Sequence, residues 1–133
     1  MKNTLSTVEP LNQLTSLILD ASISVHKEMG PGLLETVYHH CLIKELMNRN
    51  LQLKTMVPVP LVYKGDSLNK DFVLDLLIED EIIVELKAIE NVLPVHEAQI
   101  LSYLRLTNKR VGLLINFNVP RLITGFKRFV NNL

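Results

Sequence analysis

The chain has 133 residues, of which 47% are apolar and 21% are charged, and its formal net charge is zero. This length and composition predict one compact globular domain, and the neutral balance gives no signal of a strongly basic nucleic-acid binder. The single cysteine, Cys41, excludes internal disulfides and cysteine-rich metal sites, and we expect it to pack on an apolar helix face. No segment reads as a membrane span or a secretion signal, so we expect a cytoplasmic protein without membrane contact.

The first part of the chain predicts a loose leader followed by two helices. Residues 1–10 are polar and are expected to form the leader, after which residues 11–133 form the single domain. Apolar residues recur at helical spacing over residues 11–29, and the Gly-Pro-Gly turn at residues 30–32 ends this helix. A second helix is expected over residues 33–50.

The second helix carries four polar or aromatic residues that need an explanation. Glu35 falls in the first turn, where a carboxylate suits the helix dipole, and Tyr38 is its neighbour on the helix surface. His39 and His40 point about 100° apart on a helix, so they cannot chelate one metal as neighbours. We expect both histidines to be ordinary surface or interface residues.

The middle of the chain predicts three extended segments. Residues 51–64 contain two prolines, at positions 58 and 60, which favour an edge or bulged strand. Residues 72–78 are almost continuously apolar, and residues 82–88 alternate between apolar and polar side chains. The acidic turn at residues 79–81 would join these last two strands into a hairpin.

The hairpin would bring two carboxylates together. If it is centred on Asp80, Asp75 lies directly opposite Glu85 on one face, and Lys87 is one step further along that face. Paired carboxylates in an apolar sheet repel each other, and a divalent metal held by oxygen ligands would compensate them. Two structural alternatives stay open: Glu85 and Lys87 on a solvated face, or Asp75 as a core carboxylate bonded to Lys87. A one-residue slip in register would place the two carboxylates on opposite faces.

The last third of the chain predicts a helix, a central strand and an ambiguous final element. The helix covers residues 95–106, with Gln99 and Tyr103 on one face at i, i+4 spacing. Residues 110–117 form an apolar strand, and residues 122–130 form either a last strand or a short helix. The order α-α-β-β-β-α-β predicts an α/β (α+β) domain, in which helices flank a mixed central sheet.

Taken together, the polar residues form an ordered series along these elements: Glu35, Asp75, Glu85-Leu86-Lys87, Gln99 and Tyr103. The series resembles the PD-(D/E)xK nuclease superfamily, whose restriction-endonuclease-like core is α-β-β-β-α-β. Within it, the chain is similar to the family named for a G-x-x-E-x-x-Y motif, which here runs from Gly32 to Tyr38. The flanking sequences GPGLLETVYHH and LPVHEAQILSYLRLTNKRVGLLINF also look like that family, and the resemblance covers roughly residues 14–130.

The resemblance implies a Mg²⁺-dependent nuclease that hydrolyses phosphodiester bonds in DNA, with RNA as the second choice and Mn²⁺ as an alternative ion. By position, Asp75 and Glu85 would ligate the metal together with the backbone carbonyl of Leu86. Glu35 would complete the acidic cluster, either directly or through water. These hard oxygen ligands suit Mg²⁺, which keeps several of its waters.

The resemblance also implies roles for residues outside the acidic cluster. Lys87 would orient or activate the attacking water, and Gln99 and Tyr103 would steady the phosphate or the lysine. Gly32 and Tyr38 would be mainly architectural.

Two other readings stay open. The first is a catalytically silent domain on the same fold that acts as a nucleic-acid or protein interaction module, because fold does not dictate function. The second is a structural homo-oligomer in which the same charges form a buried ion network. A nuclease that cuts both strands would often be a homodimer, and the apolar edge at residues 58–62 would then serve as the interface.

Overall fold

The computed structural model of the protein describes residues 4–133, with side chains from residue 8 onward. In this part of the chain, helices and strands follow in the predicted order. They are α1 (Thr4–Met29), α2 (Glu35–Asn48), β1 (Leu53–Tyr63), β2 (Asp66–Ile78), β3 (Ile82–Lys87), α3 (Pro94–Thr107), β4 (Val111–Asn116) and β5 (Phe126–Val130), with a 3₁₀ helix at Leu122–Gly125 before the last strand. The ambiguous final element is therefore both a short helix and a strand.

The strands form one mixed sheet in the order β1-β2-β3-β4-β5. Strands β3 and β4 run parallel on either side of the α3 crossover, and the other neighbours are antiparallel. Strand β1 lies at the edge of the sheet, and its register shifts between Pro60 and Val62. The predicted mixed sheet and the edge position of the proline-containing strand are both confirmed.

Helices cover both faces of the sheet because β3 sends alternate apolar side chains to opposite sides. Val84 and Leu86 pack with the buried residues of α1 and α2. Ile83 packs on the other face with Tyr103 and Leu104 of α3. Within the described residues, no helix is both long and apolar enough to cross a membrane.

The first residues of α1 and α2 both differ from the sequence-based expectation. Helix α1 begins at Thr4 and not at residue 11, so residues 4–10 of the expected loose leader are helical, while residues 1–3 lie outside the described residues. The buried Leu11 anchors this segment to the core, and a helix fixed at one point propagates cheaply into polar neighbours. Helix α2 begins at Glu35 and not at residue 33, because Leu34 is an extended N-cap residue.

Strand β2 begins at Asp66, six residues before the expected start at residue 72. Residues 66–71 are all exposed, so their sequence carries no apolar pattern to predict a strand. They are extended because they pair with the far end of β1, where Val62 faces Ser67. Strands β1 and β2 therefore form a long hairpin whose far end extends beyond the rest of the sheet.

Candidate active site

Strands β2 and β3 stop pairing where the two acidic residues face each other. Their ladder ends with Leu76 opposite Val84, and the next position in the same register is Asp75 opposite Glu85. This is the register predicted from a hairpin centred on Asp80. Beyond this position β2 continues along β1, while β3 continues along β4. The sheet therefore forks at the acidic pair.

At the fork, carboxylates accept hydrogen bonds from backbone groups of the opposite strand. The backbone N–H of Leu86 donates to Oδ2 of Asp75 at 2.8 Å, and the backbone N–H of Asp75 donates to Oε1 of Glu85 at 3.3 Å. The pairing of β1 with β2 is also interrupted at this position. Met56, the residue of β1 opposite Asp75, is not paired with it and has a left-handed φ of +49°. Asp75 thus lies at an irregular position relative to both neighbouring strands.

The carboxyl group of Glu85 is held in a buried, negatively charged environment. Only 7% of the residue is exposed. Burial, and after it the charge of Asp75, raises the pKa of the Glu85 carboxyl from 4.5 to about 9, against the opposing effects of the Asp75 backbone N–H and the Lys87 charge. Glu85 therefore holds its proton near neutral pH until a cation compensates the pair.

The first turn of α2 places Glu35 beside this pair. Partial burial is the main cause that raises the pKa of the Glu35 carboxyl, and the charge of Asp75 raises it further. The charges of Lys87 and His39 lower the same pKa. Glu35 and Asp75 also line one cleft of about 390 Å³. The structure therefore brings Glu35, Asp75, Glu85 and Lys87 into one electrostatically coupled group.

Helix α3 contributes Tyr103 from the other face of the sheet. Its ring stacks on Phe72 of β2 with centroids 4.3 Å apart and planes 3° from parallel. Burial, followed by the charges of Glu85 and Asp75, raises the pKa of the Tyr103 hydroxyl, which therefore stays protonated. Gln99, one turn earlier, is exposed, and no hydrogen bond in the described part of the chain joins it to the acidic pair.

The G-x-x-E-x-x-Y segment is tied to the strand that carries Lys87. The buried Tyr38 hydroxyl donates to the Gly30 carbonyl at 2.6 Å and accepts the Leu33 N–H at 3.1 Å. The Tyr38 ring stacks on Phe117 at 4.6 Å, and the Phe117 N–H donates to the Lys87 carbonyl at 2.9 Å. Tyr38 thus links the Gly-Pro-Gly turn before Glu35 to the end of β3.

A family model of the PD-(D/E)XK nuclease superfamily matches residues 12–129. The chain belongs to this superfamily. Its mixed sheet with helices on both faces and its α-α-β-β-β-α-β order agree with the fold expected from the resemblance. No curated protein and no solved structure gives a significant match. Membership of the G-x-x-E-x-x-Y family within the superfamily stays a prediction.

The donor atoms of this nuclease-superfamily chain fit a hard divalent cation that keeps much of its water. Among the described residues, no group of three or more His, Cys, Asp or Glu side chains could hold a metal ion by itself. None of the ion pairs found there involves Asp75 or Glu85, so no lysine or arginine within 4 Å compensates them. Two carboxylates next to an open cleft suit Mg²⁺, which binds through one or two carboxylates and retains waters.

Sequence reasoning missed the position of the two histidines relative to the acidic pair. His39 and His40 lie at the surface as expected, but both line the cleft that Glu35 and Asp75 also line. One available signal was the i, i+4 spacing of Glu35 and His39, which puts both on one helix face. Met56 of β1 lines the same cleft, and no sequence signal predicts this because it depends on how β1 packs beside α2.

Proposed function

We propose that the protein is a divalent-metal-dependent nuclease of the G-x-x-E-x-x-Y family that hydrolyses phosphodiester bonds in DNA, with RNA as the second choice of substrate. The observation that carries the proposal is the pairing of Asp75 and Glu85 at the fork, with Lys87 two residues beyond Glu85 on the same strand. Superfamily membership supports it, because nucleases of this superfamily generally use divalent metal ions and act on nucleic acid.

In this proposal Asp75 and Glu85 hold Mg²⁺ or Mn²⁺ together with the backbone carbonyl of Leu86. The N–H and C=O of one strand residue lie on the same side of the strand, and the Leu86 N–H points to Asp75. The Leu86 carbonyl therefore faces the fork, while the Lys87 carbonyl bonds Phe117 on the β4 side. Glu35, which lines the cleft from α2, completes the acidic cluster directly or through a water molecule.

The side chains around the pair have chemical properties that suit phosphodiester hydrolysis. A bound divalent ion would polarise the phosphoryl oxygen and lower the pKa of a bound water. The Lys87 ammonium lies close enough to influence the pKa of Glu85 and Glu35, so it can orient the attacking water and stabilise charge that develops on the phosphate. The protonated Tyr103 hydroxyl can donate a hydrogen bond to the phosphate. We assign Gln99 a contact made only when substrate is bound, because it is exposed on the same helix.

One observation favours the alternative of a catalytically silent interaction module. The described residues contain no group of three candidate ligands, and the raised pKa of Glu85 means that a proton can reduce the charge repulsion of the Asp75–Glu85 pair without a metal. A silent domain would keep the fold and the cleft but would not need a cation. Cleavage activity separates the two proposals.

The experiment is a cleavage assay with end-labelled single-stranded DNA, duplex DNA and RNA in Mg²⁺, in Mn²⁺ and in EDTA. We expect cleavage of at least one substrate with either metal, and none in EDTA or with Glu85→Gln at any metal concentration. A folded wild-type protein that cleaves nothing, or a Glu85→Gln variant with full activity, would refute the nuclease proposal. The Gln side chain has the shape of Glu85 and, like its protonated form, one group that donates and one that accepts hydrogen bonds, so we expect the variant to fold, which its circular dichroism spectrum checks.

A further inference from the structure

The cleft beside the acidic pair is larger than a metal site needs. Its volume of about 390 Å³ falls in the range of small-molecule pockets, and its walls are mostly apolar. Residues of α2, among them Glu35, His39 and His40, line the cleft together with residues of β1 and β2, among them Met56 and Asp75. Because Asp75 is one of the lining residues, the cleft borders the position proposed for the reacting phosphate.

The walls of the cleft carry groups that suit a flat aromatic ligand. The rings of His39 and His40 lie 6.1 Å apart at an interplanar angle of 77°, so they present surfaces in two directions. Met56 of β1 also lines the cleft, and it is 58% exposed in a left-handed conformation at the point where the β1–β2 ladder is interrupted. Imidazole rings stack on nucleobases, and a thioether makes favourable contacts with aromatic rings.

We infer that this cleft receives an unpaired nucleobase adjacent to the reacting phosphate, so that the nuclease prefers single strands or unpaired nucleotides to intact duplex. The inference rests on the proposed function, which places the phosphate at Asp75 and Glu85. In a duplex, each base is stacked between its neighbours, and extruding one costs a few kcal/mol. A single strand enters the cleft without most of that cost.

The charge of the chain supports the same choice. Tight, sequence-independent binding of duplex DNA comes from many lysines and arginines that neutralise phosphates. Here the formal net charge is zero, and two carboxyl groups line the cleft. Base stacking on the cleft walls would add affinity for unpaired bases that does not depend on net charge, since stacking contributes to single-strand binding alongside contacts to the backbone.

The test compares binding of a fluorescein-labelled single-stranded oligonucleotide with binding of the duplex of the same sequence. Fluorescence anisotropy is measured in Ca²⁺, an oxygen-seeking cation of the same charge. The test variant is His40→Ala/Met56→Ala, and the control is Met47→Ala, which removes an equally exposed methionine of α2 that does not line the cleft. We expect wild type to bind the single strand about tenfold more tightly than the duplex, and the test variant to lose about tenfold in single-strand affinity alone.

Three results would overturn the inference. The first is that wild type binds the single strand and the duplex with equal affinity. The second is that the test variant keeps the single-strand preference of wild type. The third is that the substitutions change the mass of the protein in sedimentation but do not change its binding to the single strand. The last would assign the cleft to a second copy of the chain. Cleavage measured separately distinguishes the two proposals: cleft-dependent strand binding without cleavage refutes the nuclease alone, and cleavage without any cleft effect refutes the base site alone.

Discussion

The backbone N–H of Leu86 donates to Oδ2 of Asp75 at 2.8 Å, where an uninterrupted hairpin would offer a backbone carbonyl. This bond marks the point at which β2 leaves β3 and the sheet opens. Because the sheet opens there, groups from both of its faces reach one pair of carboxylates: Glu35 from α2 and Tyr103 from α3. The fork therefore accounts for the assembly of the candidate active site from elements on opposite faces.

The buried carboxyl of Glu85 makes the stability of the metal-free protein depend on pH. Its pKa is 4.5 in an ordinary environment and about 9 in the folded state, so between these values the folded chain binds more protons than the unfolded chain. The free energy of unfolding therefore falls as pH rises from 4.5 towards 9. We expect Glu85→Gln to be more stable than wild type at pH 8 by a few kcal/mol and nearly equal to it at pH 4.5.

Urea unfolding in EDTA at pH 4.5, 6 and 8 measures this difference. The comparison with Glu81→Gln, an exposed acidic residue at the turn of the same hairpin, controls for the loss of one negative charge. If the free energies of unfolding of wild type and Glu85→Gln differed by the same amount at all three pH values, the result would contradict the conclusion that the folded protein holds a proton on Glu85.

Lys87 is expected to contribute to the chemistry and not to the fold. Its side chain makes no ion pair within 4 Å in the described part of the chain, although its charge acts on Glu35 and Glu85. We expect Lys87→Ala to lower the cleavage rate by at least about 100-fold, since loss of one group that stabilises developing charge has an effect of this size. The thermal unfolding temperature should stay close to that of wild type.

The matched control for this change is Lys27→Ala, which removes an exposed lysine from the end of α1. Cleavage by Lys27→Ala should equal that of wild type. Full activity in Lys87→Ala would remove Lys87 from the proposed mechanism.

Tyr38→Phe should separate the positioning of Glu35 from metal binding. The change keeps the stacking on Phe117 but leaves the Gly30 carbonyl and the Leu33 N–H without their side-chain partner. We expect a loss of about 1–2 kcal/mol in the free energy of unfolding. The cleavage rate should also fall, because Glu35 directly follows the turn that Tyr38 holds. The affinity for Mn²⁺ at Asp75 and Glu85 should stay within twofold of that of wild type.

The control is Tyr63→Phe, which removes the hydroxyl of a tyrosine that is 61% exposed near the tip of the β1–β2 hairpin. It should change neither stability nor cleavage. A large loss of Mn²⁺ affinity in Tyr38→Phe would show that the turn supports the metal ligands themselves and not only Glu35.

The pairing of Asp75 with Glu85 was predictable because two local signals agree. An acidic turn separates an apolar run from an alternating strand, which favours a hairpin centred on Asp80, and the structure has this assumed register. Since side chains alternate with a period of two, fixing the centre also fixes which residues share a face. The parallel pairing of β3 with β4 followed from the helix between them.

The fork and the cleft were not predictable from the sequence. The pairing of β2 with β3 ends because side-chain carboxylates accept the hydrogen bonds of backbone N–H groups. This depends on three-dimensional geometry that the hydrophobic pattern of the sequence does not show. The first six residues of β2 are exposed and patternless, and only their pairing with β1 extends them. His40 and Met56 likewise line one cleft only because α2 packs beside β1.

The central claim is that Asp75 and Glu85 bind a divalent cation, and titration calorimetry with Mn²⁺ tests it most directly. The comparison uses wild type, Asp75→Asn/Glu85→Gln, and a control in which Glu79 and Glu81, at the turn of the same hairpin, are changed to Gln. We expect one site per chain in wild type and in the control, and none in the Asp75→Asn/Glu85→Gln variant. A folded wild-type chain that binds no Mn²⁺, or an Asp75→Asn/Glu85→Gln variant that binds it with unchanged affinity, would contradict the account.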